Sequence, residues 1–231
     1  MARRSVPSFA RLWRKHETLY LSVFSQALVR LSKKKHLMDE DHISEQLCPI
    51  LNAVCFEKSN KRKSKKRNCE IRTPDPEIPI PPKTDNELKG GLKKARRPDF
   101  TCKCHNPFAS CSEEHEIALH VECKLLGNQT SKTWILNKNY TIEGIKRFDN
   151  KSHEYGKRAL SGMMIGYIIS MEPEQIVYEV NDFQQKQFPN NPALSFEFNN
   201  PPVFRTRQNL KRKNVNPKGF QIIHLWVDLR G

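Results

Sequence analysis

An α/β fold with a mixed sheet is predicted by three observations. Apolar residues recur at three- and four-residue steps over 8–36, period-two alternation runs over 117–124 within 116–126, and a helical pattern followed by an almost wholly apolar run occupies 141–170. The chain has 231 residues and reads as an N-terminal helix, 1–36, followed by one larger domain, 37–231.

In the first helix Phe9, Leu12, Trp13, Leu19, Tyr20, Phe24, Ala27, Leu28 and Leu31 form the apolar stripe, with Ser8 as N-cap. Lys33, Lys34 and Lys35 close it, where cations complement the helix dipole. A second helix is expected over 40–56, with Ile43, Leu47, Ile50, Leu51 and Val54 on one face and Pro49 kinking or dividing it. From 57 to 97 the period fails. Basic runs at Lys61–Lys63 and Lys65–Arg67 and five prolines between Pro74 and Pro82 predict a flexible insertion, relieved by a short strand at Cys69–Arg72.

Strands follow at 98–104 and 116–126, then a helix over 141–160 and a buried strand over 162–170. Ile176–Val180 reads equally as strand or helix. Ser195–Phe198 is expected as a short strand, Arg205–Lys213 as a basic loop, and Phe220–Leu229 as the last strand.

Forty Lys and Arg against 25 Asp and Glu give a formal charge of +15, which favours a polyanionic partner. No apolar run reaches the roughly 18 residues of a membrane span, so no membrane partner is expected. Seven cysteines, an odd and unevenly spaced set, fit a reducing cytoplasm. Cys102, Cys104, His105, Cys111 and His115 form one cluster, but C-x-C with C-x3-H departs from the usual zinc spacing. A hairpin with reduced thiols is the stronger reading, and Zn²⁺ is not expected.

The chemistry-bearing pattern is Pro98-Asp99 followed by Glu122-Cys123-Lys124. Period two puts Glu122 and Lys124 on one face of a strand. Two carboxylates there suit Mg²⁺, which takes one or two carboxylates and leaves places for water and phosphate oxygens. The Cys123 backbone carbonyl would face the same ion. A lysine beside them suits either deprotonation of water or stabilisation of a pentavalent phosphorus.

This motif resembles the signature of the PD-(D/E)xK nuclease superfamily, over roughly residues 40–170. The resemblance implies a restriction-endonuclease-like core of α-β-β-β-α-β order, a central mixed sheet flanked by helices, here with an N-terminal helix and a C-terminal strand extension. It implies Asp99, Glu122 and Lys124 as catalytic residues and Mg²⁺, with Mn²⁺ as substitute, held by Asp99, Glu122 and the Cys123 carbonyl. An acidic residue on the first core helix is matched in order by Glu45, with Glu40 competing. Lys146, Arg147, Lys157 and Arg158 fall where that family's helix approaches nucleic acid. The expected function is a Mg²⁺-dependent endodeoxyribonuclease, a restriction-like or phage-defence effector acting on DNA, with RNA as the alternative substrate. A larger partner protein or a homo-oligomer would supply targeting. The rival readings are a non-catalytic nucleic-acid-binding protein of the same fold and a zinc-stabilised interaction module.

Overall fold

The computed structural model describes residues 8–35, 39–63, 70–84 and 97–230. Its centre is a six-stranded mixed sheet in the order β1-β2-β3-β4-β6-β5. The strands are β1 (Asp75–Pro76), β2 (Phe100–His105), β3 (Glu116–Leu126), β4 (Ser161–Ile168), β5 (Val203–Lys211) and β6 (Gly219–Asp228). β2 runs antiparallel to β3, β3 and β6 run parallel to β4, and β5 returns antiparallel to β6. All eight residues of β4 are buried, as befits a central strand covered on both faces.

Helices α1 (Phe9–Leu31) and α2 (Glu40–Lys63) cover one face. Ser8 caps α1 by accepting from the Arg11 N–H, and Asp39 Oδ1 accepts from the His42 N–H at the start of α2. Phe24, fully buried, meets Phe100 of β2 edge to face at 5.7 Å. A polar chain, buried at Trp13, Ser161 and Glu17 and reaching the surface at Arg207, fixes the angle of α1 on the sheet. Trp13 Nε1 donates to Ser161 Oγ (2.8 Å), Ser161 Oγ donates to Glu17 Oε2 (2.6 Å), and Arg207 pairs with Glu17 Oε1 (2.8 Å). Arg30 grips Glu57 with two parallel hydrogen bonds and ties α1 to α2.

The other face is covered by an irregular helical segment and by α3 (Pro173–Gln187). The segment is an α turn at Leu136–Asn139, a wider π turn at Tyr140–Gly144 and a 3-10 turn at Ile145–Asp149. Tyr140 anchors it: its hydroxyl joins His224 Nδ1 (2.7 Å) and accepts from Trp226 Nε1 (2.9 Å). Gly162 provides a flat place on β4, where a Cβ would stand 2.2 Å from the Phe148 ring.

Several sequence expectations are corrected. α2 runs on through Pro49 and continues to Lys63, because the charged residues after Val54 are good helix formers even though they break the apolar stripe. The strand expected at Cys69–Arg72 is absent from the part described, 70–72, and Cys69 lies outside the described residues. A two-residue strand at Asp75–Pro76 takes its place beside β2. The helix expected over 141–160 ends at Asp149 and gives way to turns held by Asn150, whose backbone carbonyl accepts from His153 and Glu154. The ambiguous 176–180 stretch lies in α3, started by Pro173. Ser195–Phe198 pairs with no strand, and Phe196 packs on Trp226 with ring centroids 4.3 Å apart. The basic loop at 205–213 is largely β5, where Phe204, Gln208 and Leu210 point inward and Arg205, Arg207 and Lys211 outward or to the rim.

Replacing Phe24 by Ala removes the aromatic joint between α1 and β2. We expect a loss of about 3–5 kcal/mol in unfolding free energy, read as a lower urea midpoint with an unchanged slope.

Candidate active site

β2 and β3 stay paired from His105↔Glu116 to Phe100↔Val121 and then part. Beyond Val121, the N–H and C=O groups of Cys123 and the N–H of Leu125 face the side that β2 has vacated. Buried backbone groups need partners, and side chains supply them. Asp99, at the point of divergence, accepts from the Cys123 N–H through Oδ2. Glu40, in the first turn of α2, accepts from the Leu125 N–H through Oε2 (3.2 Å). The Cys123 carbonyl accepts from Lys124 Nζ (2.7 Å). Two carboxylates therefore enter the notch for backbone reasons alone.

Glu122 and Lys124 project from one face of β3, while the buried Cys123 side chain lies on the other. Lys124 Nζ lies 2.5 Å from Glu40 Oε1 and 3.0 Å from Glu122 Oε1. Arg147, on the 3-10 turn, donates to Glu122 Oε1 as well. Gly144 lets the helical segment settle on β4, where a Cβ would stand 2.5 Å from Met164 Cε, and this brings its backbone beside the Lys124 stem. Three carboxylates and two cations are thus gathered around one backbone carbonyl.

The electrostatics are strained in one direction. Burial, and then the neighbouring Asp99 charge, push the Glu122 carboxyl up to about 8 against the pull of Lys124 and Arg147. Burial likewise raises Asp99 to about 6, with Lys124 and the Cys123 N–H opposing. Burial pulls the Lys124 ammonium down, but the summed charges of Glu122, Glu40 and Asp99 outweigh it, and its pKa stands above the ordinary lysine value. Lys124 is therefore a cation here and a hydrogen-bond donor, not a base. Arg147 is raised in the same way, the Glu122 charge overcoming its burial.

The oxygen-only donor set fits a hard divalent cation. Glu122 Oε2 is buried without a hydrogen-bond partner, an acceptor whose position such an ion would satisfy. Asp99, Glu122, Glu40 and the Cys123 carbonyl are the groups that would hold it. Among the described residues no three His, Cys, Asp or Glu side chains are grouped as a ready metal site. Lys124 and Arg147 occupy the intervening positions, so metal entry requires the Lys124 ammonium to yield.

The residues singled out from sequence separate clearly. Asp99, Glu122, Lys124 and the Cys123 backbone converge. Glu45 does not: it is exposed on α2, and Glu40 takes the first-helix place. Five residues carry a helix about 140° past its starting direction, so the two glutamates face different ways. Arg147 is a partner of Glu122 in place of an exposed contact. Lys146 is exposed, while Lys157 and Arg158 are half-buried further along the same sheet face, with Lys157 Nζ 3.1 Å from Glu154. Cys102 and Cys104 are buried beside Phe100 on the opposite face, Cys111 is exposed, and His105 packs edge to face on His115 at 4.5 Å. Sequence reading missed the role of Arg212. Its buried guanidinium donates to the carbonyls of Phe148, Tyr155, Gly156 and Pro217 and stacks on Phe220, which fixes the loop that follows Arg147. No local signal distinguishes it from its basic neighbours.

No family model matches the chain, and neither a curated protein nor a solved structure matches it. No helix of the described residues is long and apolar enough to cross a membrane.

The raised Glu122 pKa has a definite stability consequence. Its contribution is fully present below the ordinary value of 4.5 and is lost as pH rises through about 8. In EDTA, wild-type unfolding free energy should fall between pH 5 and pH 9, and Glu122→Gln should fall less. Urea titrations followed by tryptophan fluorescence at the two pH values give the comparison.

Proposed function

We propose that the chain is a Mg²⁺-dependent nuclease that hydrolyses phosphodiester bonds in DNA. The single observation carrying this reading is the convergence of Asp99, Glu122, Lys124 and Glu40 on the Cys123 backbone, where β2 leaves β3. The element order α2, β1, β2, β3, helical segment, β4 supports it, since it follows the α-β-β-β-α-β order of the PD-(D/E)xK superfamily that the motif resembles. The net charge of +15 supports a polyanionic substrate.

When bound, Mg²⁺ neutralises phosphate charge and acidifies a coordinated water. The protein's own residues do the rest. Asp99 and Glu122 are set by backbone and burial on the side where the sheet opens and would hold the ion, Glu122 giving up its proton as the ion binds. Glu40, paired with Lys124 in the ion-free site, would turn to the ion as the lysine turns to the reacting phosphate. Lys124, kept protonated by three carboxylates, donates to the oxygens of the pentavalent phosphorus as their charge grows. Water adds to phosphorus, the bond to one ester oxygen breaks, and that oxygen leaves with a proton. Arg147 keeps Glu122 oriented while the lysine engages phosphate.

Incubation of supercoiled plasmid with the protein and Mg²⁺ or Mn²⁺ should give nicked circles, and EDTA should abolish them. Asp99→Ala, Glu122→Ala and Lys124→Ala should each lower the rate about 10²–10³-fold. Parallel linear, single-stranded DNA and RNA substrates decide between DNA and RNA. Persistent nicking by Glu122→Ala would remove this assignment.

Glu40 and Glu45 give a separate check. Glu40→Ala should weaken both cleavage and Mg²⁺-induced thermal stabilisation, whereas Glu45→Ala should match wild type in both assays.

A further inference from the structure

A second polar feature shares the sheet face of Glu122 and Lys124. A cavity of about 260 Å³ opens between the Ile78–Pro81 segment, the β2–β3 pair and the turn at 154–158. Its floor is Thr101, Ala118 and His120. Thr101 and His120 are cross-strand partners, exposed by only 6% and 5%. Thr101 Oγ1 is buried with no hydrogen-bond partner. His120 Nδ1 accepts from the Gly156 N–H (2.9 Å), so the ring proton resides on Nε2, leaving that N–H as the donor for a bound group. One wall is aliphatic, from Ile78 through Pro81, and the rim carries Lys83, Lys103, Lys157 and Arg158 together with Glu116 and Glu154, the last 3.1 Å from Lys157 Nζ.

An unsatisfied hydroxyl and an imidazole N–H beneath an aliphatic wall match the polar edge and flat face of a nucleobase. A rim on which four cations outnumber two carboxylates matches the phosphate attached to it. The volume is below that of a pocket for a drug-sized ligand, which limits the occupant to about one nucleotide. The location also agrees. His120 precedes Glu122 by two residues, about 7 Å along the strand, on the same face. That displacement is on the scale of one step of an extended nucleic-acid strand.

We propose that this cavity receives one unpaired nucleotide of the substrate strand, its base against Ile78–Pro81 and over Thr101 and His120, its phosphate toward Lys157 and Arg158. The proposal rests on the nuclease reading and deepens it. A base held in a duplex cannot enter, so the substrate is single-stranded or presents a frayed or extruded nucleotide.

The test is calorimetric titration of the full chain in EDTA with each of the four deoxynucleoside 5′-monophosphates, and with deoxyribose 5-phosphate and inorganic phosphate. Binding of a mononucleotide is expected, with the two base-free probes much weaker. Thr101→Val, nearly isosteric, should weaken binding about tenfold, the loss of one buried hydrogen bond. Ala118→Phe, which fills the floor, should abolish it. Thermal unfolding of both variants confirms that they fold. The proposal is overturned if no mononucleotide binds, if the base-free probes bind as well, or if both folded variants bind like wild type. Metal-free mononucleotide binding by a protein that cuts nothing with Mg²⁺ would support the cavity and sink the hydrolase reading. Cleavage without mononucleotide binding would do the reverse.

Discussion

The parting of β2 from β3 after Val121 is the constraint on which the rest depends. A central strand stripped of its neighbour exposes backbone donors and acceptors that are costly to leave unpaired. Asp99, Glu40 and Lys124 satisfy those groups. The positions of the acidic side chains thus follow from hydrogen-bond completion in the sheet, and their chemistry is a consequence of where they have been put. Asp99 begins the divergence and caps it, which explains why Pro98, unable to donate to a ladder, stands just before it.

Once gathered, these groups do not neutralise one another well. Glu122 is wholly buried, one of its oxygens lacks a partner, and its pKa is driven upward. Lys124 and Arg147 relieve only part of the repulsion between Glu122 and Asp99. A buried site that is short of positive charge and rich in oxygen is poised for a small hard cation, and it is also less stable without one. Functional sites commonly hold such local conflict while the scaffold around them is satisfied. Here the scaffold is the apolar β4 and the two helices that cover the far face.

Much of this was legible in sequence because it depends on short-range periodicity. The alternation of Ile117, Leu119, Val121 and Cys123 fixed the ends of β3 and put Glu122 and Lys124 on one face. The apolar spacing of Phe24, Leu28 and Leu31 marked α1. The pairing of Asp99 with this site was legible only through the motif's resemblance to a known pattern. Glu45 was a choice by order along the chain. Only the rotation of α2 on the sheet, set by Ile43 and Leu47 reaching the core, brings Glu40 inward. The irregular turns of 136–149 were read as a later, regular helix because Tyr140 and Phe148 owe their places to Trp226, His224 and Gly162, distant partners that no local period records. Arg205 and Arg207 looked like loop residues because an edge strand with outward charges shows the composition of a loop.

Arg212 gives the molecule a mechanical property that its charge count conceals. One guanidinium holds carbonyls from the loop after Arg147 and from the turn joining β5 to β6, while Asp149 accepts the backbone N–H groups of Lys213 and Asn214 in the same turn. These two surface segments, about sixty residues apart in sequence, are laced together through a shared buried centre. The shared contacts imply that their amides open together, so slow solvent exchange in one should be accompanied by slow exchange in the other.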